Sequence, residues 1–131
     1  MALMTWTKEQ YGTNVGVCDD QHKEIFRMLN DLHEAAANGN RLAVGKLLDE
    51  LINYVVMHFQ TEEKMMQAKG YPDFAVHKAE HDKVVATCAS VQSAFHAGTG
   101  EVNQDTTRFV CDWLNNHIPK FDMVYGPCLN G

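Results

Sequence analysis

Residues 41–69 read RLAVGKLLDELINYVVMHFQTEEKMMQAK, and the fold class turns on this stretch. Val44, Leu47, Leu48, Leu51, Ile52, Val55, Phe59 and Met66 recur at intervals of three, four and seven. That pattern draws one apolar stripe along an α-helix and matches no face of a strand. A helix of this length, without a proline, must lie against other helices to bury its stripe. His58 and Glu62 fall on the same face, four residues apart. Ionisable groups on a core-facing stripe are costly unless they are partnered, so they are the first sign of chemistry.

Working outward, Gly70-Tyr71-Pro72 ends this helix and Asn38-Gly39-Asn40 precedes it, with Gly39 suited to the left-handed position past a helix end. Upstream, Ile25, Phe26, Leu29, Leu32 and Ala36 mark an earlier helix that Asp19 or Asp20 can cap. Downstream, a helix starting near Pro72 or Asp73 carries Val84, Val85, Cys88, Val91 and Phe95 to Gly98. After a polar loop, Thr99 to Asn103, a last helix starts near Gln104 or Asp105 and carries Phe109, Val110, Trp113, Leu114 and Phe121. Short connections between long amphipathic helices predict an all-α fold, an antiparallel up-down-up-down four-helix bundle. A single domain is expected over residues 1–131: an irregular N-terminal arm (1–18), the bundle (19–125) and a tail (126–131).

Seventeen acidic against eleven basic residues give a net charge of -6, which argues against nucleic acid and anionic membrane surfaces as partners. No stretch has the length and apolarity of a membrane span, and the first residues lack the basic flank and apolar run of a secretory signal, so a cytoplasmic location is expected. Cys18, Cys88, Cys111 and Cys128 are scattered without a C-x-x-C pair and read as reduced, buried thiols.

The seven histidines carry more information. His77 and His81, like His58 and Glu62, stand four apart and share a helix face. His22 lies in the first turn of the first helix; His117 lies late on the fourth, with Asp122 five residues on. In an antiparallel bundle these places fall at one end, so five histidines and two carboxylates converge on one layer. His33, about 16 Å up the first helix from His22, and His96, near a helix C-terminus, are expected to be structural or exposed. Five residues of ideal helix leave His117 and Asp122 about 140° apart. The helix is therefore expected to be irregular there, with Pro119 as a cause.

Such a donor set is too large for one tetrahedral zinc and suits two ions of higher coordination number, iron foremost. Two octahedral ions offer about twelve positions. Five imidazoles, two bridging carboxylates and a bridging oxide or hydroxide leave one open, which is what a small diatomic ligand needs.

Asp19-Asp20-Gln21-His22, His58-Phe59-x-x-Glu62-Glu63, His77-x-x-x-His81 and His117-x-x-x-x-Asp122 together resemble the ligand signature of the hemerythrins, the single-domain bacterial ones in particular. The resemblance covers nearly the whole chain, including the Trp6 arm and the Trp113-Leu114 step. It implies a non-haem di-iron centre with a bridging oxo or hydroxo group, His77, His81 and His117 on one iron, and His22 and His58 on the other. Glu62 and Asp122 would bridge. It further implies reversible dioxygen binding for transport or storage, end-on as hydroperoxide at the open iron, with Leu114 and Ile118 bordering that position. On this reading the chain is a monomeric carrier that serves an oxygen-consuming client, and not an enzyme.

Three other readings compete. A di-iron oxidase would use Glu-x-x-His pairs, yet no glutamate stands three residues before any histidine. His77-Lys78-Ala79-Glu80-His81 matches the short His-x-x-Glu-His pattern of some zinc proteases but leaves the other five donors unexplained. A stand-alone sensor of oxygen, redox state or iron would use the same site.

Overall fold

The computed structural model describes residues 2–130 and, among them, contains only helices and their connections. A short helix, α1 (Lys8–Tyr11), precedes four long ones: α2 (Gly16–Asn38), α3 (Arg41–Ala68), α4 (Phe74–Ala97) and α5 (Gln104–His117). A π-helical turn (Ile118–Asp122) then leads into α6 (Met123–Asn130). The long helices run up, down, up and down. α2 packs against α3 and α5, and α3 packs against α4.

The breaks fall where their residues require them. Gly39 and Gly98 end α2 and α4 with φ of 72° and 78°, a conformation that a side chain would strain. Asn40 caps α3 by accepting from the N–H of Ala43, and Asn103 forms a capping box with Thr106 at the start of α5. The main core is aliphatic and aromatic: Ile25, Phe26, Leu29 and Leu32 of α2 meet Leu48 and Leu51 of α3, Phe95 of α4 and Leu114 of α5.

Three expectations need correction. The N-terminal arm is not irregular throughout, because Thr7 caps the turn α1, and α2 begins at Gly16 rather than near residue 19. Neither Asp19 nor Asp20 is the cap. Asp19 instead reaches back, accepting from the N–H and the hydroxyl of Thr13 at 2.9 and 2.8 Å, so one more turn of helix forms ahead of it. Residues 126–130 are not a loose tail but the end of α6, held because the backbone of Thr13 packs directly on Gly126. Met1 and Gly131, the outermost positions of the expected arm and tail, lie outside the described residues.

The arm lies on the bundle: Asn30 exchanges two hydrogen bonds with the backbone of Met4, Tyr11 donates to Asn115, and Lys23 sits over the ring of Trp6.

Candidate metal centre

At the end of the bundle where α2 begins, α3 and α5 finish and α4 begins, His22, His58, Glu62, His77, His81, His117 and Asp122 meet. All seven are essentially closed to solvent, none more than 3% exposed. α-Helical spacing sets His58 one turn from Glu62 and His77 one turn from His81. Asp122 needs the π-helical turn. Its i→i+5 bonding, seen in the Met123 N–H donating to the carbonyl of Ile118, winds more residues into the turn than an α-helix does. Residues five apart then share a face, and Asp122 returns beneath His117. Pro119 lies inside this turn, where it has no N–H to give to an α-helical ladder.

The donors form two groups that share both carboxylates. His77, His81 and His117 make one group and His22 and His58 the other. Glu62 divides its oxygens between them: Oε2 faces His22 Nε2 at 3.2 Å and His58 Nε2 at 3.1 Å, while Oε1 faces His81 Nε2 at 3.2 Å. Asp122 does the same, with Oδ2 at 3.0 Å from His22 Nε2 and Oδ1 at 2.9 and 3.0 Å from the Nε2 atoms of His77 and His117. Despite these distances the five Nε2 atoms, Glu62 Oε1 and Asp122 Oδ1 lack hydrogen-bond geometry. Buried polar atoms aimed at one small volume without bonding each other are what a cation is expected to satisfy, and imidazole with carboxylate suits iron.

Without a metal, charge pairing has to hold this layer. Burial opposes protonation of His22, but the carboxylates of Asp122 and Glu62 outweigh it and lift the imidazole to about 10. Burial likewise opposes protonation of His81, and Glu62 and then Glu63 raise it. Burial would push the Glu62 carboxyl up, but the surrounding histidines hold it well below the usual range, and Asp122 is lowered in the same way.

Outside the donors, two carbonyl or carboxylate groups fix imidazole orientation. Gln21 Oε1 accepts from His58 Nδ1 at 2.7 Å, and Glu63 Oε2 accepts from His81 Nδ1 at 2.9 Å. Tyr125 donates to Glu62 Oε2 at 2.5 Å. Sequence reading quotes Gln21 and Glu63 in the signature without a role and does not single out Tyr125. Glu63 points about 100° round the helix from Glu62, yet only 17% of its side chain is exposed. The Nδ1-to-carboxylate rule for metal-binding imidazoles was the signal that could have found it.

The two groups differ in their surroundings. Each ring of the three-histidine group is stacked: His77 on Tyr125, His81 on Phe59 (3.8 Å, 4°) and His117 on Trp113 (4.2 Å, 13°). His22 and His58 meet edge-on and border an apolar cavity of about 60 Å³ among the four long helices, past Leu114, Val84 and Val110 to Thr107; Phe59 and His117 also line it. Leu114 lines this cavity together with His22, His58 and His117. Ile118 does not line the cavity. It is fully buried in the main core at the start of the π-helical turn.

The remaining histidines stand apart. His33 Nδ1 bonds Thr107 Oγ1 at 2.6 Å, and His96, half-exposed in the last turn of α4, bonds Asp49 at 2.8 Å. Glu80, the residue a protease reading would need, is partly exposed beside Lys83 and outside the donor layer. Of the free thiols, Cys18 and Cys111 are buried while Cys88 and Cys128 are half-exposed.

Known proteins resemble this chain along nearly its whole length. The Hemerythrin HHE cation binding domain family matches residues 13–129. The chain is 68% identical over 130 residues to a bacteriohemerythrin of Methylococcus capsulatus, covering 99% of both chains. It is 36% identical to one of Stenotrophomonas maltophilia, over 95% of this chain and 80% of that protein. A solved structure of wild-type hemerythrin superposes with a TM-score of 0.98 at 68% identity, covering 99% of this chain and all of that one. With its bundle, its seven buried donors and these likenesses together, the chain belongs to the hemerythrin family.

Proposed function

We propose that this chain holds two iron ions and binds dioxygen reversibly, as a carrier or store. The observation that carries the reading is the division of Glu62 and Asp122, each offering one oxygen to each histidine group. His77, His81 and His117 would hold one ion and His22 and His58 the other, with both carboxylates bridging. The iron pair and its oxo or hydroxo bridge would supply the open coordination position and the two electrons that oxygen binding draws on.

The protein's part is to position and to exclude. Two ferrous ions, two carboxylates and one hydroxide sum to a single positive charge, which suits a site closed to water. Gln21 and Glu63 keep His58 and His81 in the tautomer that presents Nε2. The ion held by His22 and His58 would have one protein ligand fewer and so would carry the vacant position, and Leu114 lines the cavity that reaches these two histidines and His117. An apolar cavity of about 60 Å³ admits a diatomic molecule and gives water no hydrogen bonds. Excluding protons is what allows oxygen to leave as oxygen.

The donor set contains few anionic ligands, which favours binding over oxidation, so a carrier is preferred to an oxidase. We further propose one domain, a monomer, a cytoplasmic setting and an oxygen-consuming client. No helix among the described residues is long and apolar enough to cross a membrane. An absorption spectrum of the reduced, iron-loaded protein tests the reading. A visible band should appear in air and disappear under vacuum over repeated cycles. Irreversible bleaching on first contact with air, or one iron per chain, would refute it.

A further inference from the structure

Beneath the donor layer lies a second, smaller core. Val15, Cys18, Met66, Tyr125 and Leu129 are buried together, and Met65, Tyr71, Phe74 and Cys128 pack half-buried around them. Six of these nine are cysteine, methionine or tyrosine, side chains that are readily oxidised. The main core, by contrast, is built mostly from leucine, isoleucine, valine and phenylalanine. Packing alone would be served by aliphatic residues, which have no reactive atoms.

The small core also has two ends. At one, the Tyr125 hydroxyl donates to Glu62 Oε2 at 2.5 Å, and the Tyr125 ring stacks on His77. At the other, Tyr71, Met65 and Cys128 are half-exposed. A continuous body of oxidisable side chains thus joins the donor layer to the surface.

We propose that this second core carries oxidising equivalents away from the metal centre, with hydrogen peroxide as the oxidant and a low-molecular-weight thiol as the final reductant. The proposal rests on the di-iron reading above. With both irons already ferric, peroxide at the centre is the oxidant: Tyr125 gives it one electron, and the phenolic proton is relayed through the Glu62 hydrogen bond to the hydroxide that peroxide reduction leaves, so Glu62 ends ionised. The vacancy moves outward through sulfur and phenol side chains to Tyr71 and Cys128, where a thiol fills it and releases the replacing proton. Two such passages turn two thiols into one disulfide while one hydrogen peroxide becomes two waters, so atoms and electrons balance. The ligand histidines are thereby spared.

The test treats the chain, loaded with iron and oxidised to the diferric state, with one equivalent of hydrogen peroxide in the absence of thiol, then maps modified residues by peptide mass spectrometry. Oxidation at Met65, Tyr71 and Cys128 should exceed that at Met57, although Met57 is 39% exposed. Tyr125→Phe keeps the ring and loses the hydroxyl. Marks on the outer residues should fall several-fold, with oxidation shifting to the ligand histidines. Cys18→Ala, a second variant outside the donor set, should lower the outer marks and prolong a tyrosyl radical signal in freeze-quenched samples. Zinc-loaded protein, which has no redox chemistry, should show none of this pattern. Marks that merely follow exposure, or that persist in zinc-loaded protein or in both variants, overturn the proposal. A chain that binds oxygen reversibly yet gives one of those results overturns this proposal alone; one that fails to cycle in the absorption test overturns both.

Discussion

Glu62 and Glu63 are neighbours in the sequence and serve the centre in different ways. Glu62 faces both histidine groups directly, so Glu62→Ala should lose at least one iron and loosen the bundle. Glu63→Ala, which its direction about 100° round the helix from Glu62 would rank as mild, should weaken iron retention about 10- to 100-fold, because His81 loses the acceptor that orients it. Metal-to-protein ratios after dialysis against graded chelator check both, and full retention by Glu63→Ala would mean that packing against Phe59 suffices to orient His81. Leu114 invites a similar contrast with Leu48, since both line the cavity and only Leu114 is assigned to the border of the open position. Leu114→Ala should leave two irons bound and speed autoxidation. Leu48→Ala should cost ~2–5 kcal/mol of stability without selectively changing autoxidation. The measurements are the decay rate of the oxygenated spectrum and denaturant unfolding; equal autoxidation in the two variants would reduce Leu114 to packing. At this scale the meeting of all seven side chains was legible, because paired histidines and carboxylates on apolar stripes have no cheaper explanation. Gln21, Glu63 and Tyr125 were not, since a polar side chain one step off the buried face, or a single tyrosine near the chain end, looks the same in sequence whether or not it touches an imidazole or a carboxylate.

The element that decides the centre is the π-helical turn. It brings Asp122 under His117 at the cost of five residues of α-helical bonding. Inserting one alanine after the exposed Lys120 should turn Asp122 by about 100° away from His117. Both ions would then lose a shared ligand while helix content, read by far-ultraviolet circular dichroism, stays nearly constant. Retention of two irons by that insertion would show that Asp122 is dispensable. The irregularity itself was legible, from the five-residue spacing and Pro119. Its kind was not, because a bend, a bulge or a simple end would each have met the same need. The extra first turn of α2 and the helical C-terminus escaped sequence reading for a related reason. Asp19 braces Thr13 across the loop, and Thr13 in turn packs on Gly126 next to Pro127, so contacts between distant residues override local breakers.

Across the whole molecule, the donor layer ties four helices together, and its protonation sets how it behaves with and without metal. In the metal-free chain His22 is raised to about 10 from an ordinary value near 6.5. A raised histidine stabilises the fold fully below its unfolded pKa, and that contribution is lost as pH climbs through its folded one. Metal-free protein should therefore melt at progressively lower temperature between about pH 7 and pH 10, a trend that thermal unfolding at stepped pH measures. The depressed carboxylates of Glu62 and Asp122 act oppositely, and their contribution is lost only on strong acidification. Iron must displace the protons that His22 and His81 hold, so loading near neutral pH should release acid and tighten as pH rises. A pH-indicator dye in weakly buffered solution measures that release; none would mean that the imidazoles are already neutral. The layer's position has one more consequence. Every donor sits at the end where α2 begins and α3 finishes, while the α2–α3 and α4–α5 connections lie at the opposite end. That distal end is free of ligating duty. Residues 99–101, ahead of the buried Val102 and the Asn103 cap, should therefore accept an inserted peptide or a fused reporter, giving an oxygen-responsive building block whose colour is independent of its cargo.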